Sequence, residues 1–64
     1  MMYRYDQKTD VLVLIIGKGR LDFSHQGGNI IVHHDKAGTP LEIEIIDAKK
    51  TTMKILSTII EGSF

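Results

Sequence analysis

The chain has 64 residues, with eight Lys and Arg against eight Asp and Glu, three His, no Cys and 42% apolar residues. The lack of cysteine excludes disulfides and thiolate metal sites, and the balanced charge gives no long-range pull on nucleic acid or an anionic membrane. A chain this short hides only about 60% of the surface its unfolded form exposes, so a core completed by a second copy is the expected support.

Tyr3-Arg4-Tyr5 alternates apolar and polar residues and predicts a short edge strand. Asp6-Gln7-Lys8-Thr9-Asp10 is a polar turn whose aspartates can accept from nearby backbone N–H groups. Residues 11–16 then form a β-branched run, apolar on both faces, which reads as a strand needing cover on both sides. Gly17-Lys18-Gly19 predicts a tight hairpin turn, and residues 20–25 a returning strand with Leu21 and Phe23 on one face. Gln26-Gly27-Gly28-Asn29 breaks that strand, and residues 30–34 make the next. Asp35-Lys36-Ala37-Gly38 carries a hairpin signal, Asp at its first position and Gly at its last. Residues 41–45 alternate strictly, with Leu41, Ile43 and Ile45 toward a core and Glu42 and Glu44 toward water.

After Asp47, a plausible N-cap, the period changes and residues 48–60 fit a helix. Ala48, Met53, Ile55, Leu56, Ile59 and Ile60 fall in an arc of roughly 160° at 100° per residue. Lys49 and Lys50 oppose the helix dipole, which could shift the start to Thr51, and Gly62 suits the terminus. The reading is a single α+β domain over residues 1–64: a small antiparallel β-meander sheet of four to five strands packed by one C-terminal helix.

Tyr5-Asp6…Asp10-Val11-Leu12-Val13, Gly28-x-Ile30-Ile31-Val32…Asp35-x-x-Gly38 and Ile43-Glu44-Ile45-Ile46-Asp47-Ala48 together resemble the family called domain of unknown function 2283. The resemblance implies small prokaryotic and archaeal relatives with no assigned activity, and an antitoxin or partner-subunit role. It also implies an acidic residue or Tyr near the end of the third main strand, where this chain has His33-His34. No catalytic residue is carried over.

His33 and His34 are consecutive, so a regular strand sends them to opposite faces, and they cannot chelate one ion together. His25 could pair with either across a hairpin, which makes a small-ligand or metal site using His25, His33 and His34 the alternative reading. Gly17-Lys18-Gly19-Arg20 lacks the glycine spacing, the Lys-Ser/Thr pair and the following helix of a phosphate loop. Glu42 and Glu44 are explained by strand alternation, Asp35 by a turn and Asp47 by a cap, while Ser24, Ser57 and Ser63 sit in no nucleophile context. The chain is expected not to be an enzyme and to need no cofactor.

A single-layer cover over a small sheet needs an apolar stripe of about 100° or slightly more, and the helix offers a wider one. Together with the two-faced strand this predicts an interface carried by Val11, Val13, Ile15, Met53, Leu56 and Ile60. The expected role is a homo-oligomeric protein-interaction module with a further protein partner allowed, the antitoxin-like role being what the family resemblance implies. A nucleic-acid regulator using Lys49, Lys50 and Lys54 ranks below it, given the charge balance. The longest apolar run is six residues, against about 20 for a membrane span, and residues 1–6 show no apolar signal stretch. The expected location is the cytoplasm.

Overall fold

A computed structural model describes residues 1–61. It contains β1 (Met2–Asp6), β2 (Val11–Ile15), β3 (Phe23–Gly27), β4 (Ile30–His34), β5 (Pro40–Ile46) and α1 (Ala48–Ile60). The α+β class, the five-stranded antiparallel sheet and the C-terminal helix match the sequence reading. Gly62 and Ser63, named above, lie outside the described residues.

The strand order is β1-β2-β5-β4-β3. Strands β3, β4 and β5 run as a meander, and β2 lies beside β5, so the last four strands form a Greek key instead of a plain meander. The difference traces to residues 16–22. The expected hairpin at Gly17-Lys18-Gly19 does not form, because β2 pairs with β1 and β5 and never with β3. Instead the segment crosses the end of the sheet, where the Ile16 and Gly17 N–H groups donate to the Leu41 carbonyl at 2.9 and 3.2 Å. The Asp22 N–H donates to the His34 carbonyl at 2.8 Å, so β3 begins at Phe23 and not at residue 20. A Cβ on Gly17 would stand 2.9 Å from Leu41 Cδ2, so any larger residue would force the buried Leu41 side chain to shift.

The other turns follow their sequence signals. Gly27 pairs with Ile30, leaving Gly28-Asn29 as a two-residue hairpin loop with Gly28 at φ 59°. The Asp35 carboxylate accepts from the Ala37 and Thr39 N–H groups, both at 2.9 Å, and closes the β4–β5 turn. The Asp6 carboxylate accepts from the Lys8 N–H at 3.0 Å in the β1–β2 turn.

The helix begins at Ala48, without the slip to Thr51, but its cap is not the expected one. Asp47 holds the N-cap position at φ 53° and its side chain makes no capping bond. Asp10, itself at φ 55°, supplies the cap from the distant β1–β2 turn. Its carbonyl accepts from the Ala48 N–H at 2.9 Å, and its carboxylate accepts from the Lys49 N–H at 3.0 and 3.2 Å. A carboxylate at a helix N-terminus offsets the dipole that Lys49 and Lys50 oppose, which is why the first turn tolerates both lysines. From the β3–β4 turn, Asn29 Nδ2 donates to the Ile46 carbonyl at 2.7 Å and also to Thr51 Oγ1.

Beyond that anchored first turn α1 does not lie along any strand. The chain is correspondingly open, with a radius of gyration of 13.5 Å, against about 11 Å for a compact domain of this length. Among the described residues only Leu41 and Ala48 are buried apolar residues. Leu41 sits under the 16–22 crossing and Ala48 at the helix anchor, so neither marks a shared core between sheet and helix.

Candidate interaction surface

Strand pairing assigns every side chain to one of two faces, because directly opposed residues project to the same side. On one face stand Tyr3, Tyr5, Leu12, Leu14, Ile43, Ile45, Ile30 and Val32, linked by the pairs Tyr3–Leu14, Leu14–Ile43 and Ile43–Val32. None of these strand residues is acidic, and the Asp10 carboxylate meets the lower end of the face through the Tyr5 hydroxyl at 2.7 Å. Its upper end holds His25 and His34, and its lower end opens into a groove of about 390 Å³ lined by Tyr3, Tyr5, Leu12, Ala48, Lys49, Thr52 and Met53. The groove places α1 at the margin of the apolar face, in touch with it only near the helix start.

The opposite face is mixed. Val13 stands between Arg4 and Glu44, and Ile15 beside Glu42. Arg4 reaches Glu42 at 3.8 Å, and His33 Nε2 lies 3.1 Å from Glu44 Oε1. Val11, Val13 and Ile15 therefore lie on the charged side of the sheet, away from the groove that α1 borders. The structure does not bring them onto one surface with Met53, Leu56 and Ile60. Of the residues that share the helix side, Ile43 was already read toward a core, whereas Leu12 and Leu14 were hidden because β2 is apolar at every position. The alternation of β5 was the signal: Ile43 and Glu44 identify the two faces once their β2 partners are known.

On α1 the apolar stripe is open. Met53 is 61% exposed, Leu56 44% and Ile60 79%, with Ile55 and Ile59 exposed alongside. Thr52 and Thr58 hydroxyls donate to the carbonyls four residues back, at 2.8 and 3.0 Å, which satisfies them inside the helix.

The histidines separate as strand geometry requires. His33 faces Glu44, whereas His25 and His34 share the apolar face with ring centroids 5.2 Å apart. Phe23 stacks on His34 at 4.8 Å and 9° and meets His25 edge-on at 5.4 Å. His25 and His34 could contribute two ligands to an ion, fewer than a metal site takes from protein. No group of three or more His, Cys, Asp or Glu suited to a metal occurs among the described residues.

Ionisation is displaced at the helix anchor. The Tyr5 hydroxyl donates to Asp10 Oδ1 at 2.7 Å. That bond, followed by the Lys49 N–H, holds the Asp10 carboxyl below its ordinary range. The same bond, with the nearby negative charge of Asp10, raises the Tyr5 hydroxyl above its own. No sequence rule pointed to this pairing, since Asp10 and Lys49 are 39 residues apart. Lys50 and Lys54 lie on the far side of α1 with Asn29, Asp47 and Thr51.

No helix among the described residues is long and apolar enough to cross a membrane. The family model described as "Protein of unknown function (DUF2283)" matches residues 2–49. The match takes in the whole sheet and both anchoring turns and stops two residues into α1, before the exposed stripe. No curated protein and no solved structure matches the chain.

Proposed function

The chain belongs to the DUF2283 family, and from that premise we propose that it is a small protein-interaction module of the cytoplasm that works as a homo-oligomer. One observation carries the reading. The isolated chain exposes 5240 Å², whereas a compact monomer of 7.2 kDa exposes about 4,100 Å². The excess of about 1,100 Å² exceeds the roughly 800 Å² that each partner contributes to a stable interface. Much of the large apolar surface lies on α1 and on strands of the uncharged sheet face. Contiguous apolar area of this kind marks association sites in soluble proteins.

The antitoxin-like role suggested by the family resemblance would use the same surface, with a second kind of chain in place of a copy. Sedimentation equilibrium at micromolar concentration tests the reading. A particle of two or more chains is expected, and a strict monomer that also captures no partner would overturn it. Added heterologous protein that displaces self-association would move the reading toward the partner-subunit role.

A further inference from the structure

Resting on that reading, we propose that the occupant of the uncharged sheet face is α1 of a second copy, the two chains exchanging helices about a two-fold axis. Three features carry this.

The helix of one chain is held away from its own sheet. Asp10 grips the Ala48 and Lys49 N–H groups from one turn, and Asn29 grips Ile46 and Thr51 from the other. Swinging the stripe back over its own strands would break these bonds. The anchored direction therefore presents Leu56 and Ile60 to another molecule, while Met53 borders the groove beside its own Tyr3 and Leu12.

The two surfaces match in size and character. Thirteen helical residues span about 20 Å at 1.5 Å per residue, close to the length of the five- and seven-residue strands. None of the face residues Tyr3, Leu14, Ile43 and Val32 is acidic, so docking an apolar stripe across them strips water from no acidic strand residue. Lys50 and Lys54 point away from the stripe and stay solvated.

The arrangement also closes. Each chain offers one exposed helix stripe and one half-buried apolar sheet face, so a two-fold operation satisfies both at once and leaves no open end for further growth. The excess exposed surface is of the size that one such interface removes.

The chain contains no cysteine, so Ser57→Cys gives one attachment point beside the stripe for a nitroxide. Spin-labelled chain without isotopes is mixed with wild-type chain carrying labelled Ile, Leu and Val methyls, so any broadening comes from a different molecule. The Leu14, Val32 and Ile43 methyls are expected to lose intensity strongly, and those of Val13, Ile15 and Ile31, across the sheet, much less. Glu61→Cys repeats the measurement from the helix end, in case the first variant folds poorly. A two-chain particle with broadening confined to the Val13 face or to the edge strands would overturn helix exchange while leaving self-association standing. A monomeric particle would remove both.

Discussion

Leu56→Glu tests the stripe most directly. Leu56 keeps 44% of its surface exposed in the isolated chain. Complete burial of a leucine side chain is worth about 2 kcal/mol, so covering the remainder contributes about 0.9 kcal/mol per helix. Two-fold symmetry doubles this to about 2 kcal/mol, a factor of roughly 30 in the dissociation constant. In the exchanged arrangement a glutamate here would also be pressed against the apolar sheet face, and a carboxylate in an apolar contact adds further cost. The expected result is a dimer weakened at least thirtyfold in sedimentation equilibrium, with the sheet's circular dichroism unchanged because the anchor is untouched. Lys54→Glu makes a larger charge change on the opposite side of α1 and is expected to leave the mass distribution as it was. Equal association of Leu56→Glu and wild type, or equal weakening by Lys54→Glu, would refute the assignment of the stripe.

Three further outcomes concern the anchor and the crossing. The Asp10 carboxyl titrates below its ordinary range because Tyr5 and the Lys49 N–H favour its charged form; the stability it lends is complete above the unfolded carboxylate value, about 3.9, and disappears as pH falls through the lower folded value. Hydrogen exchange at the Lys49 amide should accelerate, relative to the intrinsic rate, over that acid range in wild type but not in Asp10→Asn; identical profiles would count against the cap. For Tyr5 the sign reverses: its folded value is raised, so its contribution is full below about pH 10 and fades above the folded value, visible as a delayed phenolate absorbance step that Asp10→Asn moves earlier. Asn29→Ala removes the bonds to Ile46 and Thr51 and is expected to lower stability by about 1–2 kcal/mol in urea titration; an unchanged midpoint would show that the second grip is idle. Gly17→Ala drives a Cβ to within 2.9 Å of Leu41 Cδ2 and is expected to cost about 1–3 kcal/mol, whereas Gly27→Ala, with nothing within 4 Å, should leave the thermal midpoint nearly fixed.

Local chemistry made most of the fold legible. Strict alternation in β5, the Asp35 to Gly38 turn and the change of period after Asp47 each stand on short-range rules, and each element appears where those rules place it. The errors came from choices that local chemistry leaves open. Gly17-Lys18-Gly19 suits a hairpin and an open crossing equally well, and only the pairing of β2 with β5, as in Ile15 with Glu42 and Val11 with Ile46, decides between them. The cap followed the same pattern. Asp47 is the right residue type at the right position, yet its positive φ turns the side chain out of use, and Asp10 takes its place through the tertiary fold.

The interaction surface shows where sequence patterning reaches its limit. A strand that is apolar at every position cannot report which side meets a partner, so Val11, Val13 and Ile15 looked equivalent to Leu12 and Leu14. Their neighbours break the tie: Glu42 and Glu44 pair with Ile15 and Val13, and Ile43 and Ile45 with Leu14 and Leu12. The helix stripe was legible from its width alone, since an arc wider than one sheet contact needs is already a statement about surplus. Its direction was not legible, because it is set by two turns that reach the helix start from opposite edges of the sheet. The same two turns that stabilise α1 deny it to its own strands. In this chain, tightening the anchor should strengthen association between copies, and loosening it should let each helix fall back on the sheet it came from.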